Sequence, residues 1–207
     1  MNGDAIILTD IQNDFLPGGA LAVPEGDTIL PLVNRLIEVF PLVVATQDCH
    51  PVDHMSFART HGRRVGEVIR VGGVEQILWP VHCVEGTPGV ELAPGLNKER
   101  IAKIVLKGTD REIDSYSTFF NNEHRRATGL DAFLRSRGVR RVYLCGLATD
   151  YCVKFSALDA ARLRYQTFVV LDACRGIDAS PGDVDRAVAQ MKAAGVGIVA
   201  GEEVLAD

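Results

Sequence analysis

The sequence predicts a three-layer α/β/α domain built on a mainly parallel, six-stranded sheet. Three observations carry this expectation. Short apolar runs rich in β-branched residues recur along the chain. Helical patterns fill the gaps between the later runs. The helices are punctuated by proline near the start and glycine at the end. Strands that are apolar on both faces must be covered on both faces, as in a parallel sheet between two helical layers.

Residues 5–9 read as the first, buried strand. Residues 28–40 read as a helix, with Ile29, Leu32, Val33, Leu36, Ile37 and Phe40 on one face, and Pro41 ends it. The second strand is read at 42–46, the third at 101–107, the fourth at 141–145, the fifth at 167–171 and a short sixth at 196–199. Helices are expected at 130–137, stopped by Gly138, at 150–163, and at 181–194, opened by Pro181 and closed by Gly195. The stretch at 51–97 breaks the rhythm. Rich in Gly, Pro, His and charge, it holds the chain's one tryptophan and reads as a long loop-like insertion over the sheet edge. No boundary or repeat divides the chain, so residues 1–207 read as a single domain.

Composition excludes several function classes. The chain has 207 residues, 47% hydrophobic and 24% charged, enough to bury a full core without disulfides. Its net charge is −5, and the densest basic run, His61-Gly62-Arg63-Arg64, is too short to track a phosphate backbone, so nucleic acid is not an expected partner. Met1-Asn2-Gly3-Asp4 supplies no cationic segment before the short apolar run that follows, and no other run is long enough to span a bilayer. A soluble, cytoplasmic protein without a membrane partner is expected. The 5 cysteines (Cys49, Cys83, Cys145, Cys152, Cys174) are odd in number and form no C-x-x-C pair, which argues against a disulfide framework.

Ligands of open α/β sheets bind beyond the carboxyl ends of the strands. Four separate strands deliver reactive side chains there. Asp10 follows the first strand, Asp48 and His50 follow the second, Lys107 ends the third, and Cys152 follows the fourth. Cys152 is expected in the first turn of a helix capped by Thr149 or Asp150, where the dipole lowers a thiol pKa. The bland alternative is a small packing residue. Asp10 needs a partner or solvent after an all-apolar strand; it, or Asp14, could equally cap a turn. Lys107 beside it would make an ion pair. In Asp48-x-His50 both side chains fall on one face, and with His82 they make a borderline ligand set for one divalent cation, Zn, Fe or Mn. His54 stands undecided as a further ligand, and His61 reads as a loop hydrogen-bonder.

Motifs along nearly the whole chain resemble the isochorismatase-like cysteine hydrolases, and among them the nicotinamidase branch. They are Asp10-x-Gln12-Asn13-Asp14-Phe15 with Pro17-Gly18-Gly19, Thr46-Gln47-Asp48-x-His50-Pro51, His54-x-Ser56-Phe57, Trp79-Pro80-x-His82-Cys83-Val84-x-Gly86-Thr87, Lys107-Gly108, Asp114-Ser115-Tyr116-Ser117, and Gly146-Leu147-Ala148-Thr149-Asp150-Tyr151-Cys152-Val153. Isochorismatases proper look different, lacking the nucleophilic cysteine and this metal set. The resemblance implies a triad of Asp10, Lys107 and Cys152, a cation on Asp48, His50 and His82, a cis peptide at Leu147–Ala148, and an oxyanion site from the Ala148 and Cys152 N–H groups. It implies hydrolysis of nicotinamide, and of close aromatic amides such as pyrazinamide, within NAD salvage. Phe15, Trp79, Tyr116 and Leu147 are then the expected substrate contacts, with Trp79 and Tyr116 alternatively serving as insertion anchors. Rival readings are a metal-independent carbamoyl or ureido amidohydrolase of the same superfamily and a non-enzymatic metal-binding module. The long apolar helices suit either a homo-oligomer or the core.

Overall fold

A computed structural model describes residues 3–206; Met1 and Asn2, part of the N-terminal reading above, and Asp207 lie outside the described residues. In chain order the elements are β1 (Asp4–Thr9), α1 (Leu30–Val39), β2 (Val43–Asp48), β3 (Val68–Val71), β4 (Val74–Ile77), β5 (Ile101–Lys107), α2 (Leu130–Ser136), β6 (Arg141–Leu147), α3 (Lys154–Arg162), β7 (Gln166–Arg175), α4 (Asp183–Ala193), β8 (Gly197–Val199) and α5 (Gly201–Ala206). Among the described residues six strands form one sheet in the order β5-β2-β1-β6-β7-β8, with every neighbouring pair parallel. The expected parallel sheet is therefore present.

β1 is central because both its faces are apolar: Ala5, Ile6, Ile7 and Leu8 are all fully buried. Helices α1 and α5 pack together, as do α3 and α4, and these pairs supply the covering layers. From β1 the chain moves outward through β2 to β5, then returns to the other side of β1 for β6. The carboxyl ends of β1, β2 and β6 thus flank the point where strand order reverses, the usual ligand crevice of such sheets.

Several elements differ from the sequence reading. Pro181 precedes α4 rather than opening it, since Gly182 occupies the N-cap. Cys152 lies in a single π-turn, Thr149–Val153, that precedes α3. The helix α5 was not anticipated, nor was the β3–β4 hairpin within 51–97. Its turn, Gly72-Gly73, has positive φ at both positions (56° and 89°), which two adjacent glycines adopt without strain and which suits a two-residue hairpin. The rest of 51–97 folds over the ends of β1 and β2, tied down by His50 bridging to Val84 and by the Ala93 N–H bonding the Ile11 carbonyl. No helix of the described residues is long and apolar enough to cross a membrane.

Candidate active site

The ends of four strands bring Asp10, Asp48, Lys107 and Cys152 together, as their placement in the sequence suggested. Asp48 and Lys107 pair directly in the β2–β5 register. The Lys107 ammonium donates to Asp48 Oδ1 (2.6 Å), to the Ser115 carbonyl (2.9 Å) and toward Cys152 Sγ (3.5 Å), and it lies 2.9 Å from Asp10 Oδ2. All four residues are buried. Asp10 sits at φ +49°, in the left-handed region that Asp tolerates better than most side chains. The Asp10 side chain caps no turn; Asp14 does that, accepting the N–H groups of Ala20 and Cys83.

Electrostatics correct one expectation. Burial pushes the Cys152 thiol well above its ordinary range, with Lys107 pulling the other way. The predicted caps are absent: neither Thr149 nor Asp150 caps the turn, and the Asp150 carboxylate instead accepts the N–H groups of Ile177 and Asp178, each at 2.9 Å. A short π-turn and a buried position replace the exposed helix start that would lower a thiol pKa. Burial also raises the Asp10 carboxyl, against the opposing charge of Lys107. For Lys107, burial would lower the pKa, but Asp10 and Asp48 more than offset it and hold the ammonium charged. The resting group is therefore a protonated thiol beside an ion pair.

Next to it stands the second cluster. Ligand atoms of Asp48, His50 and His82 lie within 4.8 Å of one another. His50 Nδ1 is 2.8 Å from the Gly108 carbonyl, and His82 Nδ1 is 2.8 Å from the Pro80 carbonyl. A carbonyl only accepts, so both Nδ1 atoms carry the proton and both Nε2 lone pairs face the cluster. A side chain at Gly108 would collide with the His50 ring, its Cβ falling 2.4 Å from Cε1. Burial lowers both imidazoles to about 4, so each is neutral near pH 7. Neutral imidazoles with a carboxylate fit a divalent transition metal. His54 also points here: its ring stacks 4.3 Å from His50, and its Nε2 is buried without a partner among the described residues. His50, His54 and Asp114 make an adjoining group, and Asp114 is a residue to which sequence reasoning gave no role although it opens a quoted motif. His61 behaves as expected, bonding the Met55 carbonyl.

A small cavity opens onto both clusters, with Cys152, Ala148, Asp48 and His82 on its walls. Phe15, Trp79 and Tyr116 line it. Trp79 also donates its indole N–H to the Tyr116 hydroxyl at 3.1 Å. Tyr151, edge-on to Trp79 at 5.0 Å, Leu21 and Ile177 complete the apolar wall and were not singled out from the sequence. Leu147, the last residue of β6, lies in the core, fully buried with Cδ1 against Gly26, and does not line this cavity. The Leu147–Ala148 peptide is cis, as the resemblance implied.

Comparison with known proteins places this geometry. The family model for the isochorismatase domain matches residues 4–203. A nicotinamidase of Escherichia coli (strain K12) is 45% identical over 195 residues, 92% of each chain. The chain belongs to the isochorismatase family. Its structure is similar to that of an Acinetobacter baumanii nicotinamidase/pyrazinamidase, with TM-score 0.96 and 42% identity over 99% of each chain. It also resembles a Pyrococcus horikoshii pyrazinamidase solved in complex with zinc, with TM-score 0.79 and 40% identity over 96% of this chain and 99% of that one. Within the family, the buried cysteine and the Asp48-His50-His82 group are the features that bear on chemistry.

Proposed function

We propose that this chain is an amidohydrolase that converts nicotinamide to nicotinic acid and ammonia through a thioester on Cys152, serves NAD salvage, and also cleaves pyrazinamide. The observation that carries the reading is one small aromatic-walled cavity whose wall holds the Cys152 thiol, Asp48 and His82, with the buried Asp10–Lys107 ion pair directly beside the thiol. The likeness to nicotinamidases over nearly the whole chain supports it. Residues 1–207 act in this reading as one domain, with 51–97 an insertion that contributes His54, Trp79 and His82.

Asp10 takes the proton of Cys152, and the sulfur attacks the carboxamide carbon. Transfer occurs between neighbours whose pKa values are both raised by burial, so it needs no free thiolate beforehand. The N–H groups of Ala148 and Cys152 hold the developing oxyanion, a contribution of about 3–4 kcal/mol for one such donor. The C–N bond then breaks, and Asp10 returns the proton to the departing ammonia. Water, losing a proton to Asp10, opens the C–S bond and frees nicotinic acid and the thiol. Lys107 keeps Asp10 ionised between these transfers and places positive charge beside the sulfur. Phe15, Trp79 and Tyr116 pack the pyridine ring.

Asp48, His50 and His82 would hold one divalent cation, with His54 as a further candidate; Zn, Fe and Mn all suit this set. Such an ion supplies a Lewis-acidic anchor for the pyridine nitrogen. The decisive assay is ammonia release from nicotinamide, with and without chelator, against a panel of aliphatic amides and ureido compounds. Selective release from the heteroaromatic amides is expected. Equal or faster release from ureido compounds would overturn the substrate assignment.

A further inference from the structure

β1 and β2 keep their ladder only as far as Leu8 paired with Ala45, after which the two chains separate. Side chains then take over, and they do so reciprocally. Thr46, two residues before Asp48, donates its hydroxyl to Asp10 Oδ1 at 2.6 Å and accepts the Asp10 N–H at 3.2 Å. Gln12, two residues after Asp10, accepts the Asp48 N–H at 2.9 Å and donates to the Asp48 carbonyl at 2.8 Å and the Val90 carbonyl at 2.8 Å. Thr46 and Gln12 are fully buried. Each therefore needs partners for its polar atoms, and each finds them on the residue that the other's neighbour depends on.

The consequence lies in which oxygen is left over. An ammonium has three protons. The Lys107 nitrogen has four acceptors within reach: Asp48 Oδ1, the Ser115 carbonyl, Asp10 Oδ2 and, farthest, Cys152 Sγ. Asp10 Oδ1 is engaged by Thr46, which leaves Oδ2 as the oxygen facing the Lys107 ammonium, 2.9 Å away, and the Cys152 thiol. On Asp48 the division is similar: Oδ1 takes the ammonium, and Oδ2 lies 3.8 Å from His50 Nε2.

We infer that Thr46 and Gln12 are a reciprocal pair of positioning residues. Thr46 assigns Asp10 Oδ2 as the oxygen that exchanges the proton with Cys152, and Gln12 fixes the backbone that presents Asp48 Oδ2 to the cation. The role given to Asp10 rests on the amidohydrolase reading above. Valine would fill position 46 in a strand equally well; the hydroxyl is what orients the base.

The test compares Thr46→Ser with Thr46→Ala, which both lose the methyl and differ in the hydroxyl, together with Gln12→Ala, all in the full chain. For Thr46→Ala, kcat should fall about tenfold or more, with KM and Zn²⁺ affinity changed less than about twofold, and Thr46→Ser should restore kcat. For Gln12→Ala, the Zn²⁺ Kd of the metal-free protein should rise about 10- to 100-fold, with kcat at saturating Zn²⁺ largely kept. Unchanged kcat in Thr46→Ala, parallel loss of kcat and Zn²⁺ affinity, or an Ala variant that cannot fold where the Ser variant does would overturn the inference, as would unchanged Zn²⁺ affinity in Gln12→Ala. Wild-type turnover is the control for the underlying reading. Should it be absent, that reading fails by itself, and the inference is decided by the iodoacetamide rate of Cys152, about tenfold slower in Thr46→Ala but not in Thr46→Ser, and by Zn²⁺ titration.

Discussion

Replacing Lys107 with Met removes the ammonium held between Asp10 and Asp48 while keeping most of the side-chain volume. The two contacts are 2.9 Å and 2.6 Å, and Lys107 and Asp10 have fully buried side chains. At an effective dielectric of about 20, each contact is worth roughly 6 kcal/mol of Coulomb attraction before desolvation is subtracted. Losing one partner of a buried pair typically costs about 3–5 kcal/mol, because the remaining charge is stranded. For a chain of this size that corresponds to a fall in Tm of about 10 °C. The variant can escape part of this cost by protonating a stranded carboxylate. Its folded pKa then lies above the ordinary 3.8, so the penalty is smallest below that value and grows as pH rises through the raised folded pKa. Urea unfolding of wild type and variant from pH 4 to 8 measures the difference directly. Adding Asp10→Asn to Lys107→Met should recover part of the lost stability, since it removes one stranded charge. A variant as stable as wild type at pH 8, or a penalty that does not shrink toward pH 4, would refute the reasoning.

Cys152→Ala should lower turnover of nicotinamide by about 10⁴-fold or more while leaving binding measurable through the fluorescence of Trp79, the chain's one tryptophan, which lines the cavity. Normal hydrolysis by that variant would remove Cys152 from the chemistry. Stripping metal, verified by elemental analysis, should weaken nicotinamide binding, and added Zn²⁺ should restore it; unchanged kinetics would dismiss the cation's role. The metal-free protein should lose stability as pH falls from about 6.5 toward 4. His50 and His82 have folded values near 4 against an ordinary 6.5, so the unfolded chain binds their protons first, at a cost on the order of 2–3 kcal/mol each. A flat denaturation profile over that range would contradict it.

Much of the site was legible in the sequence because parallel strands deliver their carboxyl ends to one rim. Asp10, Asp48, Lys107 and Cys152 each follow or end an apolar run, so identifying the strands nearly locates the residues. The hairpin at Val68–Val71 and Val74–Ile77 was missed because its strands are four residues each and largely outside the core, inside a stretch read as loop, although Gly72-Gly73 marked its turn.

The residue types and their order along the chain determined the parallel sheet, the reactive rim and the ligand set, since these depend on local pattern and on the geometry common to all such sheets. Only the tertiary structure decided the state of those groups: a thiol held protonated, Asp150 bound to the 177–178 turn, and the separate duties of the two oxygens on Asp10 and on Asp48. Protonation and hydrogen-bond direction are set by whatever surrounds an atom, and here those surroundings come from segments 27 to 59 positions away in the chain.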